Sequence, residues 1–437
     1  MPADTRRMKL RNLATRLLAA TSLAGAALLL VSCAASNTVD FLYVTSNIQS
    51  PGQINVYEVD SESGALHQLA DSPYPSGGVN PVYEVTSPNG KYLYVANHDS
   101  NAIVMFAIGT DGKLYPLQTT TTPGTEPVAL AINSAGTALY VLDYYAPAAP
   151  GQPPYTDLNP GPGAVAVYTI DSSNGNLSSA PLANGTADYW DVQCFPSNLA
   201  VTPNGNGLYV TNTNSVVVTT APPVTGTVPN RPSSCPSYGT ISEFAVNSGG
   251  GLTPIGAPLP PLSSSAVSGI AMSAGSAPTG IAADPGSGAI YVTDSALGEV
   301  DSYAVQSDGS LSLAATTPTG NLPMGATVAG KAGSSGTYLY VSNYNDGTIS
   351  AYSLSDGVPT PITTTSSGTS GPLCLVIDPE LGRYLFVSDY IGGKVGGVFV
   401  DPSTGGLTTS EGSPYVSQGQ PTCVAAIGHA GNAQGLQ

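Results

Sequence analysis

A short apolar motif recurs seven times in this 437-residue chain, and no other feature limits its fold so tightly. It reads LYVTSN at 42–47, LYVANH at 93–98, LYVLDY at 139–144, LYVTNT at 208–213, IYVTDS at 290–295, LYVSNY at 339–344 and LFVSDY at 385–390. A run of alternating character follows each copy: INVYEVD at 54–60, AIVMFAIG at 102–109, AVAVYTID at 164–171, TISEFAVN at 240–247, EVDSYAVQ at 299–306, TISAYSLS at 348–355 and KVGGVFVD at 394–401. Next come a Gly-bearing turn, as in DGKL at 111–114, NGNL at 174–177 and DGSL at 308–311, and a weaker strand. Such turns suit hairpins, because Gly accepts positive φ. Another apolar strand precedes most copies, for example PVALAIN at 127–133, SNLAVTP at 197–203, TGIAADP at 279–285 and LCLVIDP at 373–379. Each unit is therefore four antiparallel strands, which is a propeller blade.

The two ends of the repeat complete each other. PTCVAAI at 421–427 is a first strand with no LYV strand after it, and FLYVTSN at 41–47 is an LYV strand with no first strand before it. Together they make one blade, which predicts an all-β, seven-bladed propeller closed by its C-terminal strand. The implied organisation is an export signal at 1–32, a tether at 33–40, the propeller at 41–428 and a tail at 429–437.

Closure also sorts the loops. First-to-second and third-to-fourth turns lie on one face of the ring, and second-to-third loops and blade-to-blade crossings lie on the other. The first kind are short here, as in SPNGKY at 87–92. The large insertions, second-to-third loops at 145–163 and 213–239 and crossings at 183–196 and 260–277, belong to the second kind. Long loops on a rigid scaffold commonly carry function, so the binding surface is expected on this loop-rich face around blades three to five.

Charge narrows the partners. Five of the 11 basic residues lie in the first 16 positions; without that segment six bases face 27 acids, a net charge of −21. Such a surface repels phosphate backbones, so nucleic acid is not expected. The basic cluster stands directly before an apolar run from Leu17 to Val31, which ends at Ser32 and Cys33. This is the layout of an export signal and is too short for a convincing membrane span. Leu30-Val31-Ser32-Cys33 resembles a bacterial lipobox, which implies cleavage before Cys33 and acylation of its sulfur. With no Asp after that cysteine, the resemblance points to the outer membrane or periplasmic face of a Gram-negative envelope. A monomer is expected.

The LYV-S/T-N strands resemble the YVTN repeat, and the whole ring at 41–427 resembles the lactonase-like seven-bladed propellers, which include 6-phosphogluconolactonase. In the enzymes of that family, first strands typically open Gly-Pro-Arg-His and bring cations to the mouth of the central channel. The matching positions here are Val82-Tyr83, Val128-Ala129, Ser197-Asn198, Thr279-Gly280, Gly325-Ala326, Leu373-Cys374 and Thr422-Cys423, with no Arg or His. Lactone opening requires a base for water and a donor for the oxyanion, and the usual groups for both are missing.

His98 and Arg231 are the remaining His and Arg side chains placed on the loop-rich face, and His98 with Asp99 could form an acid–base pair or a plain turn. Second strands end in Asn47, Asn97, Asp143, Asn212, Asp294, Asn343 and Asp389. These could cap the following loops or present a ring of oxygens. Tyr83, Glu84, Glu126 and Asn198 lie near the channel mouth. Tyr144 and Tyr145 open one long loop, and Tyr189 and Trp190 are assigned to the neighbouring crossing, as aromatic surface for a glycan or peptide or as a plug between loops. Export permits disulfides. Cys194 and Cys235 are placed to staple two insertions, whereas Cys374 and Cys423, on adjacent inner strands, could bridge or remain thiols. No zinc spacing or haem motif is present, so no metal or cofactor is implied. Two readings result: an envelope lipoprotein binding a protein, peptide or glycan on its loop-rich face, or a lactone hydrolase or isomerase.

Overall fold

A computed structural model describes residues 37–47, 50–180, 189–213, 235–236, 238–255, 258–259, 267–268, 270–274, 277–330 and 337–429. Cys33, Arg231 and most of the 213–239 loop lie outside them. The LYV motifs are buried along their whole length, as in the strands Ala138–Tyr145 and Gly207–Asn212. Each is central in its own sheet and is covered by a blade on both faces, so its side chains need not alternate between apolar and polar.

Seven blade sheets result, each with the strand order first, second, third, outer, beside one two-stranded ladder of Pro258–Leu259 and Val267–Ser268. Blade 1 takes its inner strand from Pro421–Gly428 and continues with Thr38–Ser46, Gln53–Asp60 and Leu66–Gln68. The closing register runs from Asp40 opposite Gly428 to Val44 opposite Val424. Blade 2 runs Pro81–Thr86, Tyr92–Asn97, Ala102–Ile108 and Leu114–Thr121. The inner strands of blades 3 to 7 are Thr125–Ile132, Pro196–Val201, Pro278–Ala283, Pro323–Ala329 and Pro372–Ile377. Every inner strand carries a proline at or near its loop-face end: Pro81, Pro127, Pro196, Pro278, Pro323, Pro372 and Pro421. An inner strand is an edge strand, and there a missing N–H leaves no ladder bond unmade.

The expected crossings at 183–196 and 260–277 are only partly crossings. Tyr189–Cys194 pairs with the third strand of blade 3, and Ile270–Ala274 with that of blade 4. Each is the upper half of an outer strand whose lower half is Leu177–Ser179 or Leu252–Pro254. Insertions split these outer strands, because an outer strand has one free edge and can break without disturbing the ring.

The blades are tied together by a repeated hydrogen bond. The tyrosine of the LYV motif donates to the carbonyl of the hairpin glycine in the next blade: Tyr43 to Gly112 (3.1 Å), Tyr94 to Gly175 (2.7 Å), Tyr140 to Gly250 (2.9 Å), Tyr209 to Gly309 (2.7 Å) and Tyr340 to Gly405 (3.1 Å). These glycines all have positive φ, between 71° and 86°. Gly is required twice over: it accepts that φ, and a Cβ at Gly112 or Gly405 would lie 2.3 or 2.2 Å from the ring of Phe41 or Tyr338. Blade 6 turns on two residues of positive φ, Asp356 and Gly357, and Tyr291 of blade 5 makes no such bond.

Candidate functional site

The inner strands surround a central channel, and its loop-face end is a cavity of about 100 Å³. Its walls include Val82, Tyr83, Val128, Asn198, Ile281, Met324 and Tyr390, and among the described residues no charged side chain lines it. By strand register, Pro323 pairs with Asn343 as Pro81 pairs with Asn97. The sixth-blade positions matching Val82-Tyr83 are therefore Met324-Gly325, one residue earlier than Gly325-Ala326. The corrected pair is also uncharged.

Tyr83 sits at the waist of the channel. It borders both this cavity and a second one, about 330 Å³, that opens toward the short-turn face. Burial pushes its hydroxyl up to about 12, and a side-chain hydrogen bond to Asn198, two blades away, opposes the rise. Cys374 and Cys423 border the same two spaces and are joined as a disulfide, with Cα atoms 4.9 Å apart. Adjacent inner strands thus converge enough to bridge. A second disulfide joins Cys194 to Cys235, with Cα atoms 5.5 Å apart.

Glu84 is not at the mouth. It borders the lower cavity, is buried to 2% exposure, and accepts hydrogen bonds from the backbone N–H and hydroxyl of Thr45 in blade 1. Burial raises its pKa to about 8, opposed by those two bonds.

The ring of Asn and Asp oxygens is turned inward. Asp143 accepts from the N–H of Gly124 (2.9 Å), Asp294 from Ala277 (3.0 Å), Asn343 from Gly320 (3.0 Å) and Asp389 from Gly371 (2.9 Å). Each of the four holds the crossing that enters its own blade. Asp294 and Asp389 also cap the loop after their strand, through Ala296 and Gly392. All four are at most 1% exposed, so they are not presented to solvent as the open ring of oxygens requires. Burial raises Asp143 to about 8.

Tyr144 and Tyr145 are also interior, at 5% and 2% exposure, with rings edge-on at 4.8 Å. They pack in one cluster with Cys194, Phe195 and Cys235, against which the half-buried Trp190 lies. Tyr189 and Trp190 stand on the outer strand of blade 3, opposite Ala166 and Val165, and not in a crossing. The Tyr145 hydroxyl donates to Asp157 (2.8 Å), which pins the 145–163 loop.

On the rim, His98 opens a short 3-10 turn. Its Nδ1 lies 2.6 Å from Asp99 Oδ1 and its Nε2 3.8 Å from Glu126 Oε2. Glu126 precedes Pro127 in the left-handed region at φ 58°, as Asn80, Phe195 and Leu322 precede their inner-strand prolines. The sequence pairs His98 with Asp99 but does not show Glu126 as the third member, because Glu126 belongs to the adjacent blade.

The family model described as "Lactonase, 7-bladed beta-propeller" matches residues 16–129, 84–145 and 261–426. The chain belongs to this lactonase propeller family. The unmatched stretch between 145 and 261 includes strands of blades 3 and 4 as well as their long loops. The 6-phosphogluconolactonase of Xenorhabdus nematophila is 36% identical over 93 residues, which span 21% of this chain and 26% of that relative. A structure titled a putative 6-phosphogluconolactonase, from Bacteroides uniformis, aligns over 90% of this chain and all of its own, at 19% identity and TM-score 0.62. The periplasmic gluconolactonase of Pseudomonas aeruginosa aligns over 89% of this chain and 99% of its own, at 17% identity and TM-score 0.63. At these identities the two structures speak for a shared fold.

Proposed function

We propose that this lactonase-family propeller is a binding protein whose loop-rich face docks a peptide segment of a partner protein. One observation carries the reading. Exposed large apolar side chains stand on loops of that face: Val79, Leu158, Leu297 and Ile391, with Leu158 at 84% exposure. The other exposed large apolar residues among those described, Tyr115, Leu117, Leu313, Val358 and Val416, lie on outer strands, and none is in a turn of the opposite face. Apolar groups gathered around an apolar recess suit a partner that inserts a side chain. Among the described residues, the lining of the recess is uncharged and so offers no charged group to activate water or hold an oxyanion. Export and acylation at Cys33, in a cell envelope, complete the proposal; loss of radiolabelled palmitate incorporation in Cys33→Ala is the expected result, and retained label would refute it.

The test of docking is a peptide-library binding assay on purified protein. Binding is expected to weaken about tenfold or more when Leu158 and Ile391 are both changed to Ser, the scale of about 1.4 kcal/mol or more for two buried apolar contacts. Equal binding by the double variant would overturn it. The second reading, lactone hydrolysis, is favoured by the His98–Asp99 contact, which holds one imidazole nitrogen as a hydrolase would. Assay on 6-phosphogluconolactone and simpler lactones decides: the docking reading expects no turnover above spontaneous opening, whereas turnover lost in His98→Ala would establish the enzyme.

A further inference from the structure

The chain enters the ring at its short-turn face. Thr38 begins the second strand of blade 1, opposite Asp60, which opens the third-to-fourth turn of that blade. The strand then runs away from this face and ends at Ser46. The closing strand leaves by the same face. Gly428 pairs with Asp40, the N–H of His429 donates to the Val39 carbonyl (2.8 Å), and the His429 ring stands edge-on to Phe41 at 5.3 Å. An open cavity of about 380 Å³ lies beside this junction, bordered by Pro88, Asn89, Glu380 and Gly428.

Distance decides what that entry point means for an anchor. Four residues, 34–37, separate Cys33 from Thr38. An extended chain covers at most about 3.6 Å per residue, so Cys33 stays within about 18 Å of Thr38 whatever path the link takes. The entry strand has nine residues. At about 3.3 Å per residue it carries Ser46 about 26 Å from Thr38, and the long loops stand beyond Ser46. The link is shorter than the strand. A group fixed to Cys33 therefore reaches the short-turn face and falls short of the loop-rich one.

The side chains of the short-turn face suit a surface held near a bilayer without entering it. Among the described residues, no exposed large apolar side chain lies in its turns. Those turns carry exposed Glu62, Asp111, Asp171, Asp308 and Asp356. Such a face neither inserts apolar groups nor attracts anionic headgroups, so the anchor alone holds it in place.

We propose that the bilayer holding the Cys33 acyl chains faces the short-turn side of the ring, with the loop-rich face turned away from it. The orientation rests on the acylation of Cys33 proposed above and does not depend on what docks.

Energy transfer to the membrane surface tests it. In the acylated protein the other four cysteines are paired, so an introduced cysteine takes a single dye. Ser172→Cys and Gln152→Cys place that dye at opposite ends of blade 3, in the short turn after Pro162–Ile170 and in the long loop before it. The acylated protein is purified from membranes and placed in phosphatidylcholine vesicles that carry a rhodamine headgroup lipid. Transfer from position 172 is expected to exceed that from position 152 about threefold or more, because a nine-residue strand holds the sites about 26 Å apart. A Gly-Ser linker of about 20 residues, inserted between Asn37 and Thr38, spans about 25 Å on average. It is expected to bring the two signals together at unchanged melting temperature. Equal transfer from both sites with the native link, or stronger transfer from position 152, overturns the orientation while acylation stands. A difference that survives the linker also overturns it, because the short link is then not the cause. Mass spectrometry of Cys33 separates the two ideas: an unmodified cysteine fails the acylation and the orientation together, whereas in acylated protein the dyes judge the orientation alone.

Discussion

At the scale of single residues, the tyrosine of the repeat has two tasks. Its ring fills the space between blades, and its hydroxyl satisfies a backbone carbonyl of the next blade. Blade 7 separates these tasks, because Phe386 takes the place of the tyrosine and keeps the ring without the hydroxyl. Tyr94→Phe is therefore expected to fold normally and to lose about 1–2 kcal/mol, the cost of leaving the buried Gly175 carbonyl without its donor. Urea unfolding reads this; no change in midpoint would mean that the bond contributes nothing net. The buried carboxyls give a pH prediction. Glu84 and Asp143 rise from ordinary values of 4.5 and 3.8 to about 8, so the native chain holds their protons more tightly than the unfolded chain does. Their contribution is complete below the unfolded values and is lost as pH rises toward 8. Wild-type stability is expected to fall between about pH 4.5 and pH 8, and the double variant Glu84→Gln, Asp143→Asn is expected to flatten that fall. Parallel wild-type and variant curves would show that the carboxyls titrate normally. Glu84 was legible as an acid near the channel; its sideways burial against Thr45 was not, since it depends on which neighbouring blade covers that edge.

At the scale of elements, the C-terminal strand closes the ring, and the Cys374–Cys423 bridge holds it to the inner strand of blade 7. A cross-link spanning 49 residues restricts the unfolded chain, an effect of about 2–4 kcal/mol. Cys423→Ser with Cys374→Ser is expected to lose that much stability while keeping the β-sheet circular dichroism spectrum, and an unchanged denaturation midpoint would remove the staple from the account. The second and third strands of every blade were legible, because period-two runs and Gly turns are local signals. The split outer strands were not. Tyr189–Cys194 reads as a crossing in sequence because its partner, Pro162–Ala166, is separated from it by a turn, a short strand and an insertion. The same limit displaced the sixth-blade register by one residue at Gly325.

At the scale of the whole molecule, blade 1 draws strands from both ends of the chain, so deletion of residues 421–437 opens an edge along Phe41–Val44. Exposed, apolar edges pair with other chains. The truncated protein is expected to aggregate on size-exclusion chromatography, and a soluble monomer with native hydrogen-exchange protection would contradict the closure argument. The number of blades, the way the ring closes and the face that carries the long loops can all be read along the chain, because each repeat is specified by contacts within a few residues. Which side chains meet across blades emerges in the folded ring: Tyr83 with Asn198, Cys374 with Cys423, and His98 with Glu126. Those meetings depend on the angle and spacing between separate sheets, and no periodicity along one chain encodes that distance.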